Sequence, residues 1–162
     1  MKFMFLKIIS GFALATVIAS VTQTAAFAQS AQKRQGIEGV WDVSVTIVQC
    51  DTGQAIGTGH AILMFSDGGS LTQISTNSLF STGLGTWRHL RAQDYTAVDR
   101  FFEFMADGSF AGTSVITRDI ELSRNADEYT APSISEFYNP AGQLVSTTCS
   151  TTAATRLDQK SD

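Results

Sequence analysis

The chain has 162 residues, of which 43% are hydrophobic and 16% charged, and its net charge is −4. This length is typical of a single domain with a sizeable core. The acidic balance, without any basic cluster, argues against nucleic acid or an anionic membrane surface as a partner.

Residues 1–28 have the three-part layout of a secretory signal. Lys2 and Lys7 form the positive start, an apolar stretch follows, and Ala26 and Ala28 are the small residues that signal peptidase reads. The apolar stretch is shorter than the roughly 20 residues of a transmembrane helix. The pattern therefore predicts cleavage after Ala28, export to the periplasm or the medium, and no stable membrane insertion afterwards.

Cleavage would leave residues 29–162 with nine basic and fifteen acidic residues, a net charge of −6. We interpret 29–35 as a disordered lead-in, 36–157 as one domain and 158–162 as a tail.

The mature part contains two cysteines, Cys50 and Cys149. An even pair in an oxidising compartment predicts a disulfide, with free thiols or metal ligation as the alternatives. If the bridge forms, it closes a loop of about 100 residues and stabilises the fold by roughly 4–5 kcal/mol in the chain-entropy model.

From residue 36 onward the hydrophobic pattern has a period of two, which is typical of half-buried strands. Clusters such as Asp67-Gly68-Gly69 and Asn139-Pro140-Ala141-Gly142 separate the runs as turns. The predicted strands cover 41–47, 58–65, 70–76, 84–90, 95–105, 110–122, 129–138 and 144–155.

Eight short strands joined mostly by tight turns favour an all-β, antiparallel up-and-down barrel, because closure removes the exposed sheet edges. In such a barrel the first and last strands are neighbours, so a bridge between Cys50 and Cys149 would join them. A two-sheet β-sandwich is the alternative.

The motif Gly39-Val40-Trp41 opens the first strand, and Arg156 stands just beyond the last. These residues resemble the Gly-x-Trp signature of lipocalins and the wider calycin group, in which an arginine packs across the tryptophan. The resemblance implies a small secreted ligand-binding barrel in which Trp41 and Arg156 have a structural role. A guanidinium over an indole contributes about 0.5–2 kcal/mol, depending on desolvation.

Three charged residues lie in the middle of predicted strands: Arg100, Arg118 and Glu136. Each shares a face with apolar residues, so all three would project inward if those faces line the barrel. Charges placed there would contact a ligand or form a buried network, since burial without a partner is costly. The third possibility is that they face solvent.

The chain lacks a recognisable catalytic motif, and it contains only two histidines, His60 and His89, neither at metal-ligand spacing. We therefore predict no metal site and no cofactor, and we assign no catalytic residue.

The leading hypothesis is a binding protein that holds a small apolar or carboxylate-bearing amphipathic molecule inside its barrel. One alternative is an enzyme of the barrel cyclase or isomerase kind, acting through Arg100, Arg118 and Glu136. The other is a protein-binding barrel, such as a secreted protease inhibitor, that uses Leu79 and Phe80 in the loop 77–82.

Overall fold

A computed structural model describes residues 36–157 of the chain. The predicted signal peptide, lead-in and tail lie outside the described residues. The described part is all-β, with eight strands: β1 (Gly39–Val48), β2 (Ala55–Ser66), β3 (Ser70–Ser75), β4 (Gly83–Arg91), β5 (Asp94–Phe104), β6 (Phe110–Leu122), β7 (Glu128–Tyr138) and β8 (Leu144–Arg156). No helix within this part is long and apolar enough to span a membrane.

Every strand pairs antiparallel with the next, and β1 pairs with β8, so the sheet is a closed barrel. The predicted up-and-down barrel is confirmed. Along β1 and β8 the register runs from Trp41 opposite Arg156 to Val48 opposite Cys149. Closure leaves no strand edge unpaired, which removes a site for pairing with other chains.

The predicted disulfide is present at the seam of the barrel. Cys50 follows β1, Cys149 lies in β8, and their Cα atoms are 5.1 Å apart. The two residues are separated by 99 positions in the chain, so the bridge links the beginning of the domain to its end. A disulfide is compatible with a compartment outside the cytoplasm.

Tight turns of similar chemistry connect several strand pairs. In the β5–β6 turn the Gly108 N–H donates to the Met105 carbonyl over 2.9 Å, and Asp107 Oδ1 accepts from the Ser109 N–H at 2.9 Å. In the β7–β8 turn the Gly142 N–H donates to the Asn139 carbonyl over 2.8 Å. Both glycines have positive φ (82° and 77°), which explains why this residue type occupies the position.

The hydrophobic core fills one half of the barrel interior, which we call the closed half. Its largest fully buried side chains are Trp41, Tyr129, Phe65, Ile37 and Leu63. Burying an apolar side chain of this size stabilises the fold by about 1.5–3 kcal/mol. The closed half therefore supplies much of the packing energy of the domain.

Arg156 covers the end of the closed half. Its guanidinium carbon lies 4.2 Å from the ring centroid of Trp41, and its nitrogens donate to the carbonyls of Gly36, Glu38 and Ala126 over 2.6–2.8 Å. The Trp41 indole N–H donates to the Ile37 carbonyl over 2.9 Å. These contacts attach the segment before β1 to the end of β8.

Candidate functional site

The structure places the three sequence-predicted charges on two different sides of the barrel wall. Arg118 points into the interior and is 4% exposed. Arg100 and Glu136 lie on the outer face, in register with Val115 on either side of it. The three residues therefore do not converge on one ligand or substrate inside the barrel.

The side chains of β5 explain why its orientation could not be deduced from hydrophobicity. Inward-facing Phe101 is 5% exposed, but outward-facing Phe102 and Val98 are also apolar, at 55% and 38% exposed. Because both faces of the strand carry apolar residues, the period-two pattern does not distinguish inside from outside. The inward row includes Asp99, which is 1% exposed.

Arg118 is the centre of a buried polar cluster formed with Asp99 and Gln73. Its Nη1 donates to Asp99 Oδ1 in an ion pair, and its Nη2 donates to Gln73 Oε1. The side chains of Arg118 and Asp99 are 5% and 0% exposed. The guanidinium thus already has a carboxylate and an amide as partners, and it is not a free cation for a ligand carboxylate.

Burial dominates the electrostatics of this cluster. Desolvation raises the pKa of the Asp99 carboxyl, and the neighbouring Arg118 charge and hydrogen bond oppose that rise only in part. Desolvation likewise raises the pKa of the nearby Tyr129 phenol. Within residues 36–157, neither Asp99 Oδ2 nor Tyr129 Oη has a hydrogen-bond partner.

Sequence reasoning missed Gln73 and did not single out Asp99. The available signal was a polar residue directly after an apolar one at period two, since Gln73 follows Leu71 and Asp99 follows Ala97 in the inward rows. Only the barrel register brings Gln73, Asp99 and Arg118, from three strands, to one level of the interior.

Beyond this cluster, toward Cys50, the interior changes character; we call this part the open half. Several of its inward-facing residues are small or aliphatic and only half-buried, namely Ile47, Gly57, Gly59, Ser75, Ile116, Ser135, Thr148 and Ser150. A Cβ atom added at Gly59 would meet no heavy atom of the described chain within 4 Å. The open half is therefore accessible to solvent and not packed to core density.

The segment 76–82, between β3 and β4, borders the mouth of the open half. Phe80 packs on the inward-facing Phe101 with ring centroids 4.7 Å apart, and it forms a β-bridge with Glu103. Glu103 in turn accepts a hydrogen bond from Ser114. Leu79 is 40% exposed on the same segment. Of the two apolar loop residues, Leu79 is therefore exposed and Phe80 is half-buried.

The outer face carries a separate groove across β5, β6 and β7. Its volume is about 490 Å³, and its lining comprises Arg100, Phe110, Thr113, Val115, Glu136, Tyr138, Asn139, Pro140 and Gly142. A second concavity of about 400 Å³, toward Leu84 and Phe102, shares Arg100 and Thr113 with it. Arg100 thus stands where the two depressions meet.

Glu136 is held in this groove by Tyr138, whose hydroxyl donates to Glu136 Oε2 over 3.0 Å. That hydrogen bond raises the pKa of the Tyr138 phenol. The Arg100 guanidinium makes no hydrogen bond or ion pair with any residue in 36–157. The groove therefore offers one positioned carboxylate and one uncommitted guanidinium.

Metal-ligating residues do not cluster in the described range: residues 36–157 contain no group of three or more His, Cys, Asp or Glu side chains able to hold a metal ion. His60 is exposed, and a ring nitrogen of His89 lies 2.9 Å from the Ala92 carbonyl oxygen.

Comparison of the chain with protein-family models finds no match, and comparisons with curated proteins and with solved structures find none either.

Proposed function

We propose that this protein is an exported binding protein that takes a small, neutral amphipathic molecule into the open half of its barrel. The observation that carries the proposal is the empty space at Gly59. This residue faces inward opposite Val45, and a Cβ there would meet no heavy atom of the described chain within 4 Å. Interior space lined by small side chains is what a ligand-holding barrel requires.

The lining of the open half supports an amphipathic ligand. Hydroxyls of Ser135, Thr148 and Ser150 face inward from β7 and β8, whereas Ile47 and Ile116 supply aliphatic surface. Hydroxyls both donate and accept hydrogen bonds, so they suit a ligand with alcohol or carbonyl groups.

The buried cluster supports a neutral ligand rather than an anion. Arg118 is the buried cation at the boundary of the open half, and it is paired with Asp99 and Gln73. Because Asp99 already compensates the Arg118 charge, a ligand carboxylate at that depth would be a second buried anion without an opposite charge of its own, which is costly. This argument narrows the sequence-based hypothesis, which included carboxylate ligands.

Export is part of the proposal and has two independent supports. The N-terminal residues have the layout of a secretory signal, and the domain carries a disulfide between Cys50 and Cys149. Structural disulfides persist in oxidising compartments.

The test combines native mass spectrometry of the secreted protein with titration of the neutral fluorophore N-phenyl-1-naphthylamine. We expect either a retained small molecule or saturable dye binding. Substitution of Gly59→Leu should weaken dye binding by about tenfold or more, because the new side chain occupies the space. Thr58→Leu adds the same side chain to the outer face of the same strand and should leave binding unchanged.

Equal dye affinity in wild type, Gly59→Leu and Thr58→Leu, with no retained mass, would contradict binding in the open half.

A further inference from the structure

The outer groove contains two charged side chains that the proposed interior site does not use. Arg100 extends over it from β5 and Glu136 from β7, with Val115 of β6 between them. Neighbouring strands lie about 4.8 Å apart, so the Cα atoms of these two residues are separated by roughly 10 Å. Despite their opposite charges, the two side chains do not form an ion pair with each other.

The walls of the groove are apolar and held by aromatic contacts. Phe110 packs edge-to-face against Phe102 and Phe104, with ring centroids 5.8 and 6.4 Å apart. Phe110 is nevertheless 45% exposed and Phe102 55% exposed. Thr113 and Val115 form a floor between these walls and Tyr138. The groove is therefore an apolar channel with a cation and an anion at its sides.

Each charge has hydrogen-bonding capacity left for a ligand. All five guanidinium N–H donors of Arg100 are uncommitted within residues 36–157. Glu136 uses Oε2 to accept from Tyr138, which leaves Oε1 as an acceptor. A matching ligand must present an anionic acceptor to Arg100, an N–H donor to Glu136, and apolar surface between Phe110 and Tyr138.

A simple apolar acid lacks the donor, and an apolar amine lacks the anion. An amino acid residue with a free α-carboxylate, an acylated α-nitrogen and an apolar side chain carries all three groups. We propose that this groove binds the C-terminal residue of a peptide that ends in an apolar side chain, with Arg100 on its carboxylate and Glu136 on a peptide N–H. Planar, bidentate contact with a carboxylate is the geometry for which a guanidinium is suited.

The site is distinct from the open half of the interior, because Arg100 and Glu136 face away from the barrel axis. Peptide binding here is a second activity, and it does not depend on a ligand inside the barrel.

The experiment titrates the secreted protein with the acetylated tripeptide alanyl-alanyl-phenylalanine, as the free acid and as the C-terminal amide, followed by amide NMR shifts. We expect the acid to shift Thr113 and Val115 and to bind about tenfold or more tightly than the amide, the size of effect that a lost charge-assisted hydrogen bond produces. Arg100→Gln should abolish the preference for the acid, and Glu136→Gln should weaken binding of both peptides.

Two controls separate this proposal from the interior site. Arg88→Gln removes a charge of the same sign from the outer face of β4, outside the groove lining, and should leave the preference intact. Gly59→Leu should block the fluorophore but not the peptide. Equal affinity for acid and amide, retention of the preference in Arg100→Gln, or no shift at Thr113 and Val115 would each overturn the peptide site, whatever the dye result.

Discussion

The two halves of the barrel interior are built from the same strands but with opposite packing. In the closed half Trp41, Phe65 and Tyr129 are each at most 2% exposed, and their rings meet edge-to-face. In the open half the same strands present Ile47, Gly59 and other half-buried or small residues. One meander thus combines a dense core with a half whose interior is incompletely packed.

The boundary between the halves is the buried cluster of Arg118, Asp99 and Gln73. At this boundary, hydrogen bonds among polar side chains replace the apolar packing of the closed half. The disulfide lies on the other side of that boundary, between Cys50 and Cys149. Apolar packing therefore stabilises the closed half, whereas a covalent link stabilises the half in which packing is incomplete.

Removing the disulfide has the largest expected effect on this balance. Cys50→Ser combined with Cys149→Ser should lower the free energy of unfolding by about 4–5 kcal/mol, since the bridge joins residues 99 positions apart. Urea denaturation followed by tryptophan fluorescence measures the loss. Hydrogen exchange should accelerate at Val48 before Trp41, and uniform acceleration along β1 would contradict the assignment of the bridge to the open half.

Breaking the boundary cluster comes next. Arg118→Met leaves the Asp99 carboxylate buried without its partner and should cost about 4 kcal/mol in unfolding free energy. The double change Arg118→Met with Asp99→Leu removes both charges and should recover most of that loss. Equal destabilisation of the single and double variants in urea denaturation would show that the ion pair is not the source of the effect.

A matched pair of truncations compares the halves directly. Leu63→Ala in the closed half should cost about 3 kcal/mol, because Leu63 is 1% exposed and its removal leaves a cavity. Ile116→Ala in the open half removes a half-buried side chain and should cost about 1 kcal/mol. Similar losses for the two variants in urea denaturation would mean that the open half is packed as tightly as the closed one.

Tyr129 offers the smallest and most pH-dependent effect. Its hydroxyl is buried without a partner among the described residues, so Tyr129→Phe should raise the free energy of unfolding by about 1 kcal/mol at neutral pH. Because burial raises the pKa of Tyr129 in the folded state, the phenol ionises more easily in the unfolded chain. The stability of the wild type is therefore unaffected by this ionisation below the ordinary pKa of 10.0, and it falls as pH rises from there through the folded value.

The gap between Tyr129→Phe and wild type should therefore widen above about pH 10. Urea denaturation of both proteins at neutral and alkaline pH measures this gap. Because Tyr95 is present in both proteins, its ionisation cancels from the difference. A gap that stays constant with pH would indicate that the Tyr129 phenol ionises equally easily in the folded and unfolded chain.

The strand order, the turns and the disulfide could be predicted from the amino-acid sequence. Alternation such as Trp41, Val43, Val45 identifies a strand because one face is buried. Turn residues such as Gly108 and Gly142 mark where the chain reverses, since they adopt the positive φ that other residues avoid. A meander of eight such strands brings Cys50 and Cys149 together at its seam once the barrel closes.

The side of the barrel wall that each charged residue faces could not be predicted, because it depends on how the barrel closes. Period-two alternation divides a strand into two faces, but both faces of β5 carry aromatic residues, so burial of one face could not be deduced from the pattern. Closure sets the register, and the register places Asp99 beside Arg118 in the interior while it carries Arg100 and Glu136 to the outer groove. The candidate sites arise from non-local strand pairing, which no local stretch of the chain encodes.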